Sequence, residues 1–184
     1  MPASSRKRST NRGRTAGNSG KDAIALLKQD HKNFRQLLKR FEGTTDRNAG
    51  QREELLTEIE VKVHTAIEEE IFYPAFKESL RSKSDLHLYF EAPEEHHVMD
   101  MVMPEIRNGD TDSEEFAAKA KVLKDLIEYH AEEEEKRMFP KARKSMGTAR
   151  LREVGEELQE RKEELKSGMW GRTLGTITGR PRVA

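Results

Sequence analysis

The chain contains no cysteine, and this absence excludes several classes of functional site. Disulfide bonds, thiolate zinc sites, iron–sulfur clusters and cysteine nucleophiles all depend on a cysteine sulfur. Any metal ion must therefore be held by nitrogen and oxygen donors, which histidine, aspartate and glutamate supply.

Long apolar runs are also missing. No stretch approaches the roughly 20 apolar residues that a membrane helix needs, and the N-terminus lacks the apolar segment of a secretory signal. Apolar residues make up 34% and charged residues 37% of the 184 residues. Such a composition predicts one small domain, whose apolar residues are concentrated on one face of each secondary-structure element to form the core. We expect a cytoplasmic protein that does not enter a membrane.

Both ends of the chain are polar and are expected to form disordered tails. Residues 1–20 are rich in Gly, Ser and Arg, and residues 168–184 contain four glycines and Pro181. The N-terminal end carries basic residues and no acidic ones, at Arg6, Lys7, Arg8, Arg12, Arg14 and Lys21. They could contact phosphates, but no nucleic-acid motif accompanies them. A nucleic-acid- or partner-binding role is therefore an alternative that the sequence does not favour.

Between the tails, apolar residues recur at steps of three and four, which is typical of amphipathic helices. The first such stripe includes Ile24, Leu27, His31, Phe34 and Leu38. Comparable stripes predict helices over about 51–80 and 94–107, and a fourth helix capped by Ser113. Pro74 is expected to bend the second helix near its end, and Pro93 to interrupt the start of the third.

The helix pattern predicts an all-α fold. Four amphipathic helices with short connections pack as an up-down antiparallel four-helix bundle, which we place over residues 21–146. A short extra C-terminal helix is expected over residues 147–167.

One internal repeat carries the chemistry. HTAIEEEIFYP, starting at His64, matches HAEEEEKRMFP, starting at His130. Both copies read His-x3-Glu-Glu and place a proline ten residues after the histidine. Residues four apart on a helix point in nearly the same direction. His64 and Glu68 can therefore face one point, and so can His130 and Glu134.

Two further histidines share the apolar stripes of the other helices. His31 lies between Leu27 and Phe34, and His96 precedes Met99 at helical spacing. His97 remains an alternative to His96, and Asp100 is a further candidate donor. The predicted ligands are His31, His64, Glu68, His96, His130 and Glu134.

This donor set narrows the choice of metal. Imidazole and carboxylate without sulfur suit iron, manganese or zinc. Two ions that share four histidines and two bridging carboxylates would keep open positions, unlike a closed tetrahedral zinc site. The simpler interpretation is that single histidines fill the core and glutamate runs are solvated. It would leave six inward donors buried without partners, at considerable cost.

At these residues the chain resembles the hemerythrin family, in its bacterial HHE-domain branch. The resemblance covers about residues 22–144 and rests on His31, the His64 and His130 motifs, and Glu95-His96. It implies an up-down four-helix bundle with two non-haem iron ions, bridged by carboxylates and an oxo group. It also implies a small partner: dioxygen, nitric oxide or peroxide.

The pattern departs from that of the oxygen carriers, which have five histidines, with His-x3-His on the third helix and His-x4-Asp on the fourth. Here Asp100 stands four residues after His96, and the fourth helix has His-x3-Glu. A missing histidine favours sensing, detoxification or iron handling over reversible oxygen carriage. A redox enzyme that consumes peroxide or nitric oxide is the alternative.

Tyr73 and Tyr129 adjoin motif residues and are expected only to pack, and His87 is expected at the surface.

Overall fold

The computed structural model describes residues 21–42, 60–107, 109, 110 and 113–177, and side chains only as far as 168 after the last gap. The predictions for residues 1–20, 51–59 and 178–184 fall outside the described residues. The described residues form only helices and turns. They are arranged as the predicted four-helix bundle with an added C-terminal helix. No described helix has the length and apolar composition needed to cross a membrane.

The first helix, α1, spans Ala23–Glu42. Its N-terminus is capped by Asp22, whose Oδ1 accepts a hydrogen bond from the backbone N–H of Ala25 at 2.8 Å. Most of the predicted stripe is buried, including Leu27, His31 and Phe34. The stripe therefore turns one histidine into the core of the bundle.

The second helix, α2, occupies residues 60–79 of the described chain. Its middle is a π-helical turn, Glu68–Phe72, in which the N–H of Tyr73 donates to the carbonyl of Glu68. Just before Pro74, where a bend was predicted, the helix changes its hydrogen-bond register. Pro74 comes one residue after Tyr73 and has no N–H that would need a partner at this change of register.

The third helix, α3, spans Leu86–Arg107 and follows the 3₁₀ turn Lys83–Asp85. The expected interruption at Pro93 is wrong, since the helix continues through both Pro93 and Pro104. Leu88 and Ala92 below the proline and His96 and Met99 above it are all buried. Burial of this continuous stripe offsets the hydrogen bond that a proline removes.

The fourth helix, α4, begins with Glu114–Glu133 and continues through a second π-helical turn, Glu134–Met138. The predicted cap is confirmed, because Ser113 Oγ accepts a hydrogen bond from the N–H of Phe116 at 3.1 Å. The helical segment Phe139–Ile177 follows and is broken at Gly147, with φ 73° and ψ 171°. The positive φ favours glycine, so Gly147 ends α4.

The last helix, α5, runs from this break to Ile177. The predicted end at residue 167 falls short, because isolated glycines such as Gly168 cost a helix only about 1 kcal/mol each. Leu151, Val154 and Leu158 of α5 are fully buried in the core. Gly155 lets α5 approach α1 closely, since a Cβ there would lie 2.6 Å from the carbonyl oxygen of Lys21.

The core forms two apolar clusters. One contains Leu27, Ile67, Phe72 and Phe139 together with the buried residues of α5. The other cluster contains Phe34, Leu38, Val61, Met99, Met103 and Ile127. On each of the four bundle helices the buried histidine lies in the sequence between members of the two clusters. The bundle therefore has a polar layer enclosed by apolar layers on both sides.

Candidate metal centre

Four buried histidines meet in this polar layer as two pairs. The Nε2 atoms of His31 and His64 are 3.1 Å apart. The Nε2 atoms of His96 and His130 are also 3.1 Å apart. One pair joins α1 to α2 and the other joins α3 to α4, so every helix of the bundle contributes one ring.

The two repeat glutamates connect the pairs. Glu68 Oε1 lies 3.0 Å from His64 Nε2, and Glu68 Oε2 lies 3.5 Å from His96 Nε2. Glu134 Oε2 lies 3.3 Å from His31 Nε2 and 3.8 Å from His130 Nε2. Each carboxylate therefore reaches both histidine pairs. Carboxylates in these positions could donate to a metal ion at either pair.

Each π-helical turn starts at one of these glutamates, Glu68 or Glu134. Such turns interrupt an α-helix most often at functional sites, and they shift the side chains that follow. Both copies of the repeat therefore place the carboxylate at the position where the helix changes register.

The opposite ring nitrogen, Nδ1, faces a carboxylate in all four histidines. For His31, His96 and His130 the contact is a hydrogen bond, which orients the ring and favours the tautomer with the hydrogen on Nδ1. For His64 it is a longer ion-pair contact with Asp30 and not a hydrogen bond. The Nδ1 contacts are His31 to Glu135 at 2.9 Å, His64 to Asp30 at 3.5 Å, His96 to Glu69 at 2.7 Å and His130 to Glu95 at 2.7 Å.

The orientation of the rings requires positive charge between them. With hydrogen on every Nδ1, the Nε2 lone pairs of each histidine pair point at one another across 3.1 Å. Such an arrangement is repulsive unless a cation lies close to both nitrogens. Glu68 Oε1 and both side-chain oxygens of Glu134 are buried and receive no hydrogen bond. These donors fit a bound metal ion.

In the metal-free form, protons on the histidine rings supply part of this positive charge. Burial opposes protonation, but the neighbouring carboxylates Glu68 and Asp30 raise the pKa of His64 to about 9. Burial opposes protonation of His130 too, but the neighbouring carboxylates of Glu68 and Glu95 raise its pKa to about 10. Burial also opposes ionisation of Glu68, but its histidine neighbours keep its pKa well below the usual value. One imidazolium per pair is therefore available for replacement by a metal cation.

All six predicted ligands lie in this cluster. Two groups have donor atoms within 4.8 Å of one another: His31, His64, Glu68 and Glu134, and then Glu68, His96 and His130. Between the two candidates on α3, His96 is buried, whereas His97 and Asp100 are exposed. The assignment of the six as ligands remains a prediction, to which the geometry adds their proximity.

Sequence reasoning missed the residues that orient the ligands. Each of these carboxylates is the immediate neighbour of a candidate ligand in the chain, and this adjacency is a signal that could have identified them. The orienting residues are Asp30 before His31, Glu69 after Glu68, Glu95 before His96 and Glu135 after Glu134. Each contacts a ring from another helix, which spacing along one helix does not reveal.

Tyr73 also belongs to the centre, contrary to the expectation that it only packs. Its fully buried hydroxyl lies 3.4 Å from Glu68 Oε2 and 3.3 Å from His96 Nε2. Burial, together with the charges of Glu134 and Glu68, raises the pKa of Tyr73 well above its ordinary value. The group therefore stays a hydroxyl and a hydrogen-bond donor. Tyr129 is exposed. His87 is also exposed, as the sequence predicted.

A small cavity adjoins the histidine pairs. Its volume is about 10 Å³, which accommodates one water-sized molecule. Apolar side chains form most of its wall, among them Phe34, Val61, Met99 and Ile127, and three of the four histidines complete it. A diatomic molecule could fit there after a small movement of the surrounding side chains.

Comparison with known proteins identifies a family and a shared fold. The family model described as the hemerythrin HHE cation binding domain matches residues 22–142. The crystal structure of a hemerythrin HHE cation binding domain-containing protein from Mycobacterium kansasii is similar, with a TM-score of 0.73 and 22% sequence identity. The similarity covers 87% of this chain and 95% of that one, and at such identity it shows a shared fold. No curated protein matches the chain.

Proposed function

The chain belongs to the hemerythrin HHE cation-binding family, and from this premise we propose that it holds two non-haem iron ions and uses them on a small oxidant or gas. The proposed partner is dioxygen, nitric oxide or peroxide, and the proposed role is to bind, sense or detoxify it. Binding of a metal cation is the property of the family as a whole. The identity of the metal and the use made of it are the proposal.

One observation carries the proposal. Glu68 and Glu134 each lie within 4 Å of both histidine pairs. A single ion would need donors converging on one point, whereas these donors form two groups that share Glu68. Two ions with common carboxylates would use all six candidate ligands.

The donor set favours iron over structural zinc. Each histidine pair with two shared carboxylates offers four protein atoms, and an octahedral ion would then retain positions for small molecules. Structural zinc sites are usually closed and tetrahedral, often with cysteine ligands. This chain has no cysteine.

When bound, a pair of iron ions supplies adjacent redox-active centres for a diatomic molecule or peroxide. The residues of the chain provide the surroundings. Phe34, Val61 and Met99 give the cavity beside the histidines an apolar wall, and Tyr73 offers a proton-bearing hydroxyl next to Glu68. Such a small apolar cavity favours a small uncharged reactant over a larger polar substrate.

Metal analysis and an ultraviolet–visible spectrum of aerobically purified protein test the proposal. We expect two irons per chain and the absorption of an oxygen-bridged ferric pair. His64→Ala and His130→Ala should each lower the bound iron sharply, because each removes one nitrogen from an ion. His87→Ala, at an exposed residue, is the control. Two irons in both site variants, or zinc as the native metal, would refute the proposal.

Turnover separates a binding protein from an enzyme. The iron-loaded protein is mixed with a large excess of hydrogen peroxide or nitric oxide, and consumption is followed over many equivalents. Consumption beyond the amount of protein supports a redox enzyme. A stable adduct that forms once and persists supports a gas-binding or sensing protein.

A further inference from the structure

The carboxylates that orient the histidines are not equivalent. Asp30, which faces His64 Nδ1 at 3.5 Å, is only 3% exposed. Glu95 occupies the corresponding place in the other half, facing His130 Nδ1 at 2.7 Å, and its side chain is 24% exposed. Water can therefore solvate Glu95, whereas Asp30 needs a partner from the protein.

Lys162 of α5 is that partner. Its Nζ donates a hydrogen bond to Asp30 Oδ1, while Asp30 Oδ2 faces the ring of His64. The Lys162 side chain is only 14% exposed, so the ion pair is largely screened from water. Among the described residues, no lysine or arginine lies within ion-pair distance of Glu95. The link from α5 thus reaches one histidine pair and not the other.

Two neighbouring basic residues of α5 serve as internal comparisons. Arg161 pairs with Glu70 at 2.7 Å, and Lys166 pairs with Glu60 at 2.5 Å. Neither acid touches a candidate ligand through any described contact. Lys162 is therefore distinguished from them by its connection to the metal centre as well as by its burial.

α5 is packed closely against the rest of the bundle. Leu151, Val154 and Leu158 are completely buried, and Gly155 lies against the backbone of Lys21 and Ala23. All of these α5 residues follow residue 142, where the family match ends. The segment after the family domain is therefore packed firmly enough to hold a side chain in place at the centre.

We propose that Lys162 is a positioning residue, through which α5 fixes Asp30 against His64 and so sets the affinity of one of the two metal positions. This inference rests on the proposed function. Orienting partners of metal-bound histidines typically change metal affinity about 10–100-fold when removed. We expect an effect of that size at the position of His31 and His64, with the other position retained.

The test uses the full chain loaded anaerobically with ferrous iron in competition with a chelator. Lys162→Met should weaken one of the two irons about 10–100-fold and leave the second unchanged, and Mössbauer spectra should lose one component first. Lys162→Arg should restore the affinity, and Asp30→Asn should reproduce the loss. Lys166→Met is the control and should bind both irons as the wild type does.

A merely structural ion pair predicts a different result. It would lower the thermal stability of the metal-free form while both irons keep wild-type affinity, or weaken both equally, and either finding overturns the inference. If Lys162→Met does not fold, the double variant Asp30→Asn/Lys162→Met removes both charges and should show the same selective loss. A wild-type chain that binds fewer than two irons would contradict the proposed function itself, which separates the two failures.

Discussion

Tyr73 and Phe139 occupy equivalent places in the two copies of the repeat, and each ring stacks on a histidine of the centre. Tyr73 lies 5.7 Å from His96 between ring centroids, and Phe139 lies 5.8 Å from His31. Only Tyr73 carries a hydroxyl, which donates to Glu68 Oε2 at 3.4 Å. The two halves of the centre are thus alike in framework and different in polarity.

Tyr73→Phe should leave the fold and the iron content intact while changing the electronic properties of the centre. The lost hydrogen bond contributes only about 1 kcal/mol to stability. Without that donor, Glu68 becomes a stronger ligand, which favours the ferric state and should lower the reduction potential. A redox titration followed by absorbance measures the shift. Tyr89→Phe, away from the centre, is the control, and an equal potential in both variants would contradict the prediction.

His96 and His97 provide a matched pair for testing the ligand on α3. His96 lies within the cluster, whereas His97 is exposed. His96→Ala should lower bound iron from two toward one per chain, and His97→Ala should bind two. Metal analysis of both proteins after identical loading decides the point. Equal iron content in the two variants would remove His96 from the ligand set.

Glu95 should affect iron binding without touching the metal. Its Oε2 accepts the hydrogen bond from His130 Nδ1 at 2.7 Å. Glu95→Ala frees the ring to rotate, and we expect iron affinity to fall about 10–100-fold. Glu94→Ala changes an exposed neighbour and should bind iron normally. Chelator competition at constant pH gives both affinities, and the idea fails if the two variants are indistinguishable.

Much of this centre is visible in the sequence because its key spacing is local. His64 and Glu68 lie one helical turn apart, so their common direction follows from helix geometry alone. The π-helical turns are not visible in that way, because regular helical spacing assumes one hydrogen-bond register, whereas each turn displaces the buried stripe that follows it. Ile71, for example, is only partly buried, while Phe72 and Tyr73 are buried. The orienting carboxylates act across helices, as Glu69 does on His96, and a single sequence does not contain that relation.

The pH dependence of iron binding follows from the raised histidine pKa values. In the metal-free form the pKa of His64 is about 9 and that of His130 about 10. Iron must displace these protons, so its affinity should rise with pH until about pH 9–10 and then level off. Isothermal titration near neutral pH in buffers of different ionisation enthalpy should show proton release. Binding without proton release would contradict the prediction.

The same groups determine the stability of the metal-free form, with a definite sign. The folded-state pKa of His64 lies above the ordinary value of 6.5. Its contribution is therefore complete below about pH 6.5 and lost as the pH rises through about 9. The pKa of Glu68 is lowered, so its contribution is present above about pH 4.5 and lost on acidification. Thermal unfolding without metal should give a maximum between these limits, and iron should extend stability to higher pH.

The small cavity beside the histidines should select reactants by size. Val61 forms part of its wall, and Val61→Ala would enlarge a space of about 10 Å³. Stopped-flow oxidation of the ferrous-loaded protein can compare hydrogen peroxide with tert-butyl hydroperoxide. We expect the wild type to react mainly with hydrogen peroxide, and the variant to gain roughly tenfold toward the bulkier reagent, as added pocket volume allows.

Val63→Ala is the matched control for this experiment. Val63 lies in the same helix and is equally buried, but it does not line the cavity. Both variants lose similar apolar burial and should be destabilised to a comparable degree. A change in selectivity confined to Val61→Ala can then be assigned to access and not to a loosened fold. If both variants gain the same reactivity toward the bulky hydroperoxide, the cavity does not control which oxidant reaches the centre.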